Sequence, residues 1–288
     1  MANETTSTTL NDLMPQIVAE ALFVASERSL MRNLVRNYTI PAGQGKSIVV
    51  PRYPKVTAAA LTEGQAPANT AVSTDGVTLT VSEVGLTTII SDIAIQGASS
   101  NVVADIGRLF GEAIARKMDT DVMALFDTIG GVSNVGGVST AATAALLFQA
   151  AAKLRAQGYD TAADCAFVLH PNVAYDVKST ITSTFAAPAS MLGNSAMENG
   201  YIGMLAGIPV FESSLVGLTG DGGGAAGDYA CALIHRDALG LAFMKDITIE
   251  SQREAQMRGF SLTGSAVYAT GVLYNGAGVK MVFDSSIE

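Results

Sequence analysis

The chain has 288 residues, 49% hydrophobic and only 15% charged, with a net charge of −9 and a mean hydropathy of +0.33. A charged fraction well under the usual ~25% excludes a disordered, solvating polymer, which needs high charge and few apolar residues. The 17 Lys and Arg, against 26 Asp and Glu, form no basic stripe for sequence-specific nucleic-acid binding, and no run of about 18 apolar residues is present to cross a membrane as a helix.

Residues 1–9 are polar and β-branched and read as a lead segment without the charged and apolar regions of a signal peptide. From Leu10 to Val35, Leu13, Ile17, Ala21, Val24 and Leu34 recur near helical spacing, with Pro15 suited to the first turn. This amphipathic arm is light in core residues and is expected to pack on something else. Lys46–Tyr53 reads as a strand, which Pro51 places at an edge or a bulge. Val77–Ile90 alternates as a second strand. The Ala-, Thr-, Gly- and Pro-rich stretch 55–76 between them exceeds the ~12–15 residues usual for a structureless connection. Together they predict an extended β-hairpin that a neighbour must stabilise.

Ser99-Ser100-Asn101 offers a helix N-cap, and the helix is predicted over 101–126, about 39 Å long, ending before Gly130-Gly131. Val103, Ile106, Phe110, Ala113, Ile114, Val122 and Leu125 form its apolar face. Asp105, Arg108, Glu112, Arg116 and Asp119 form the polar one. A second helix is predicted over Thr143–Gln157, then a strand at Phe167–Leu169 and a helix over Asn172–Lys178. A loop-rich stretch, 183–207, feeds a short strand near Ile208–Phe211, and Gly220–Gly227 reads as a surface loop. Tyr229–Ile234, Asp246–Arg253 and Phe260–Phe283 read as strands. A chain that leaves for a mid-sequence subdomain and returns as C-terminal strands predicts a discontinuous architecture.

Motifs that carry chemistry are scarce. Gly43-Gln44-Gly45-Lys46-Ser47 resembles the tail of a phosphate loop, but Ile40 stands where the first Gly is needed and a strand follows in place of a helix. Cys165 with His170 and Cys231 with His235 evoke a Cys₂His₂ zinc site. Along a strand the first pair, five apart, faces opposite sides and the second, four apart, shares one, so two core strands ending at the surface fit better. Two cysteines make no disulfide framework and suit a reducing compartment. Asp221, Asp228 and the glycines between them hint at calcium but lack the alternating acids and distal Glu of a binding loop. No nucleophile elbow, zincin or dinucleotide fingerprint occurs. No catalytic residue, cofactor or metal is expected; an α/β enzyme with unrecognised catalytic groups is the competing class.

The order of elements resembles the major capsid proteins of tailed bacteriophages, the Hong Kong 97-type fold. Thr62-Glu63-Gly64-Gln65-Ala66-Pro67 with strand Val77–Val81 is similar to that family's extended loop. Asp92-Ile93 through Asn101 into the helix is similar to its spine helix. Phe167–Pro171 and Gly207–Val210 resemble its axial subdomain, and Tyr268–Phe283 its peripheral strands. The resemblance implies an α+β fold with an N-terminal arm (1–38), an extended loop hairpin (39–92), a peripheral domain (93–140 and 245–288, with spine helix 101–126) and an inserted axial domain (141–244). It implies a non-enzymatic shell subunit in many copies, as hexamers and pentamers, around double-stranded DNA bound without sequence specificity. A portal and a separate scaffolding protein would be partners, with no membrane, and the shell would assemble in the host cytoplasm. Intersubunit contacts would fall on Arg52, Lys55, Glu63 and Gln65 of the loop and on Arg108, Glu112 and Arg116 of the spine helix. An encapsulin-type nanocompartment is the alternative with the same fold.

Overall fold

The computed structural model describes residues 29–41, 43, 45–53, 72–97, 102–159, 164–184, 203–219 and 228–287, with isolated positions between 56 and 69. Most of the expected arm, the cap at 99–101, Lys55, Gln65 and the glycine-rich 220–227 lie outside the described residues. In chain order come a one-turn helix α1 (Met31–Leu34), β1 (Arg36–Thr39), β2 (Ser47–Arg52), β3 (Asp75–Thr80), β4 (Ser82–Ser91), α2 (Asp92–Gly97) and α3 (Val102–Ala124). There follow β5 (Val135–Ala141), α4 (Ala144–Ala156), β6 (Cys165–Leu169), α5 (Pro171–Thr184), β7 (Met204–Leu205) and β8 (Ile208–Glu212). The chain ends with β9 (Asp228–His235), β10 (Leu239–Glu254), β11 (Gly259–Val272) and β12 (Gly278–Asp284).

These strands form three sheets. β1-β10-β11-β4 is four-stranded, β5-β12-β9-β6-β8-β7 six-stranded, and β2-β3 stands as a pair. The 23-residue α3 crosses the four-stranded sheet on a face that steps by four through Phe110, Ile114, Met118 and Val122, all buried. Gly264 of β11 lets Phe110 come close, since a β-carbon there would lie 2.8 Å from its ring. Tyr268, two pleats on, donates to Asp121 Oδ2 at 2.7 Å. A 3₁₀ turn, Leu125–Thr128, ends the helix with Phe126 fully buried.

In the six-stranded sheet, β6 is apolar and buried along its whole length (Cys-Ala-Phe-Val-Leu), as an interior strand must be. Thr143 caps α4, its hydroxyl accepting from Leu146 N–H, and Leu147, Ala150, Ala151 and Leu154 face the core. Lys280, buried on β12, reaches Asp127 at 2.8 Å, and Thr219 donates to the same oxygen. The two sheets join where Leu273 and Tyr274 N–H both donate to Ala238 C=O, at 2.8 and 3.2 Å.

Two expected strands are each divided along the chain. Val77–Ile90, read as one strand, changes partner at Val81: β3 pairs with β2, whereas β4 pairs with β11. Phe260–Phe283 is broken by the 3₁₀ turn Asn275–Ala277, and β12 joins β9 and β5 in the six-stranded sheet. The expected peripheral pieces, 93–140 and 245–288, therefore both give a strand to the sheet that carries the expected axial region. Gly278–Phe283 is buried along its length, as an interior strand between β9 and β5 must be.

Candidate functional site

The hairpin β2–β3 pairs residue for residue from Ser47↔Thr80 to Arg52↔Asp75. Gly43 and Gly45 enter it with φ of 90° each, a conformation that favours glycine, and a strand follows at once. The phosphate-loop likeness is thus a turn into a strand. Val50 and Leu79 pack inward on Ile40, Ala242, Ala269 and Leu273, a small second core on the side of the four-stranded sheet away from α3. At the end from which the 53–74 connection leaves, the Arg52 guanidinium pairs with the Asp75 carboxylate and donates to Leu273 C=O at 3.2 Å. That pairing holds the Asp75 carboxyl below the usual carboxylate range. The outer side is different. Val49 is 59% and Tyr53 64% exposed, with Val56 and Val72 exposed beyond them. An open cleft of about 450 Å³ lies beside the Arg52–Asp75 end of the hairpin, lined by Arg52, Tyr53, Asp75, Tyr159 and Tyr274.

The outer face of α3 is the second surface. Arg108 and Arg116 are exposed and Glu112 is half-buried. Glu112 and Arg116 line a groove of about 420 Å³ with Leu30, Glu212 and Ser213. Asp119, expected on this polar face, is instead 3% exposed. Its carboxylate accepts from Ser29 Oγ at 2.8 Å and from the N–H groups of Leu30 and Met31 at 2.9 and 3.2 Å. It thereby holds the segment entering α1 against the long helix. Burial raises its pKa, and these three donors oppose the rise. At the far tip, Arg253 grips Asp92 through two bonds of 2.5 and 2.7 Å and stacks over Phe260 at 4.7 Å. Ile93 and Met257 are exposed beside it.

The expected contact residues therefore fall on two separate surfaces. Arg52 lies at the last pair of the hairpin before its connecting segment, Glu63 in an exposed turn, and Glu112 and Arg116 share a groove that does not include Arg108. Lys55 and Gln65 lie outside the described residues. Sequence reasoning missed Asp75 and the apolar outer residues Val49 and Tyr53. Closing the hairpin in register would have found Asp75, since it stands opposite Arg52. Among the described residues no three His, Cys, Asp or Glu side chains converge as a metal centre. Cys165 pairs in register with His235, while Cys231 is fully buried and burial pushes its thiol up to about 12, far from a thiolate ligand.

A projecting hairpin, one long helix over a four-stranded sheet and a six-stranded sheet beside it form an arrangement that can be compared directly with known proteins. The family model described as phage capsid protein matches residues 76–281. This chain belongs to the phage capsid protein family. Solved capsids share the fold of this capsid protein. That of the cyanophage P-SCSP1u superposes with a TM-score of 0.70 at 16% identity, over 90% of this chain and 89% of that one. The capsid of a native GTA particle gives 0.68 at 16% identity over 91% of each. Mycobacterium phage Che8 gives 0.66 at 17% identity, over 88% of this chain and 90% of that one. The α+β Hong Kong 97-type fold is thus the fold of this capsid protein. By sequence alone, no curated protein matches it.

Proposed function

We propose that this capsid protein is the major structural subunit of a tailed-bacteriophage shell, assembling in hexamers and pentamers into an icosahedron around double-stranded DNA. The observation that carries the reading is the hairpin. Its strands pair only with each other among the described residues, and Val49 and Tyr53, with Val56 and Val72 in the connecting segment, are each more than half exposed. Exposed apolar surface on the outer side of a hairpin marks a protein–protein contact. A second copy of the same chain supplies the cover when many copies close into a shell.

The role is structural and non-catalytic. A net charge of −9 suits a wall that surrounds DNA without gripping its sequence. A portal and a scaffolding protein complete the assembly, which takes place in the host cytoplasm. Arg52 and Glu63 of the loop, with Arg108, Glu112 and Arg116 of the spine helix, are the polar intersubunit contacts, together with Lys55 and Gln65. The encapsulin-type compartment is the less favoured alternative, because the family match is to phage capsid protein.

Sedimentation of the expressed chain, alone and co-expressed with the other head proteins of its source, tests the reading. Fast-sedimenting closed particles are expected. A chain that stays monomeric in the source lysate, where every partner is present, would contradict it. Nucleic acid inside source particles separates the phage shell from a compartment filled with enzyme.

A further inference from the structure

Asp228 opens β9 at 1% exposure. Its Oδ1 accepts a 2.8 Å hydrogen bond from Ser139 N–H, but its Oδ2 has no donor among the described groups. A buried carboxylate oxygen without a partner is costly in a low-dielectric setting, so it points to a partner that the described residues do not supply.

The sheet register adds a second acid. Asp284, the last residue of β12, stands directly opposite Asp228 in the antiparallel β9–β12 ladder. Directly opposed residues carry their side chains on one face, with Cβ atoms about 4.5–5.5 Å apart, and like charges so placed repel. No Lys, Arg or His among the described residues pairs with either acid: Lys280 is taken by Asp127, and Lys178 by Glu212. The third strand bends around the pair. β5 runs beside β12 with Gly136 next to Val282 and Ala141 next to Asp284, so residues 137–140 bulge where β12 advances by Phe283 alone. Ser139, at φ 59°, lies in that bulge and turns its N–H onto Asp228.

We propose that Asp228 and Asp284 hold a divalent cation of the calcium class, with Asp228 Oδ2 as the buried ligand and Asp284 as the solvent-side one. Ca²⁺ takes six to eight oxygen ligands in irregular geometry, including carboxylates, main-chain carbonyls and water. Two carboxylates beside a main-chain bulge suit that ion and not the softer metals that choose thiolate and imidazole. The cation would neutralise the acid pair and tie β5, β12 and β9 at one end of the six-stranded sheet. It would act on the rigidity of one subunit, independently of how subunits meet.

Calorimetric titration of the EDTA-stripped full chain with CaCl₂ tests this, alongside Asp228→Asn and Asp284→Asn. One site per chain is expected, with a dissociation constant in the range of about 10⁻⁶ to 10⁻³ M. Each substitution should weaken it by about tenfold or more, as loss of one of two charged ligands requires. Ca²⁺ at a fixed concentration should raise the melting temperature of the wild type more than that of Asp284→Asn. Asp284 is partly exposed, so that variant keeps its fold (circular dichroism checks this) even if Asp228→Asn does not. No saturable binding to the wild type at about 10⁻³ M, the weakest class of such sites, would overturn the proposal. So would binding that Asp284→Asn leaves unchanged. A wild type indifferent to Ca²⁺ but stabilised by Asp228→Asn would show that a proton, not a cation, completes the site.

Discussion

Leu79 of the hairpin lies so close over Gly271 of the four-stranded sheet that a β-carbon on the glycine would stand 2.4 Å from Leu79 Cδ2. Leu79 is buried in the small core with Val50, Ala242, Ala269 and Leu273, so it has little room to retreat. This contact, with the Arg52 pairing beside it, anchors a projection whose remaining surface has no core of its own. The hairpin's angle to the body is set here.

Gly271→Val should therefore lift the hairpin from the sheet. Overpacking of a tight core contact costs about 1–3 kcal/mol, read from the denaturant midpoint. Adding Leu79→Ala should recover part of that loss by making space, and the two changes should be visibly non-additive. Additive losses would mean that the two residues do not share one packing constraint.

Much of the architecture was legible from periodicity. Helix 101–126 was expected and α3 spans Val102–Ala124 before its 3₁₀ turn; helix Thr143–Gln157 was expected and α4 spans Ala144–Ala156, with Thr143 as its cap. What stayed hidden was pairing. Alternation through Val77–Ile90 reports which face each side chain takes, and that does not change when β3 hands over to β4 with a different partner. β5 escaped notice because Gly136 and Gly137 weaken strand propensity and Val138–Thr140 bulge out of register. Asp119 fell on the polar spacing of the helix, and nothing local shows that Ser29, ninety residues earlier, returns to cover it. The β2–β3 hairpin was legible from alternation; the pairing of Arg52 with Asp75 needed the register.

Asp119→Ala should destabilise the protein by about 1–3 kcal/mol, since Ser29 Oγ and two main-chain N–H groups lose their acceptor. Its pH dependence has a definite sign. Burial raises the folded-state pKa above the ordinary 3.8, so the folded protein holds this proton more tightly than the unfolded chain. Its contribution is full below 3.8 and declines as pH rises through the raised value. Asp119→Asn should flatten that part of the stability–pH curve in urea titrations. An unchanged slope would contradict the assignment.

Asp92 behaves in the opposite sense. The hydrogen bonds from Arg253 hold its carboxyl below the ordinary 3.8, so the stabilisation it brings is present above that value and is lost as pH falls through the lowered one. Arg253→Gln should return the Asp92 titration, followed by carboxyl-carbon NMR, toward the ordinary value. Because both side chains are partly solvated, added salt should shrink the difference. A titration indifferent to Arg253→Gln would remove the pair from the account of the tip.

Tyr53→Ser and Val49→Ser should separate folding from assembly. Both side chains are more than half exposed in the single chain, so each substitution should change the denaturation midpoint by less than about 0.5 kcal/mol. Particle yield should fall sharply in the double variant, because an apolar contact at the neighbouring copy is lost. Normal particle yield with both serines would show that the outer hairpin face is not an interface.

The most direct test of the whole account is electron cryomicroscopy of intact particles from the source of this chain. A closed icosahedral shell is expected, its repeating density following this fold, with Val49 and Tyr53 of each hairpin covered by a neighbouring copy. A shell built from another protein, or one in which the hairpins of this chain stand free of their neighbours, would contradict it.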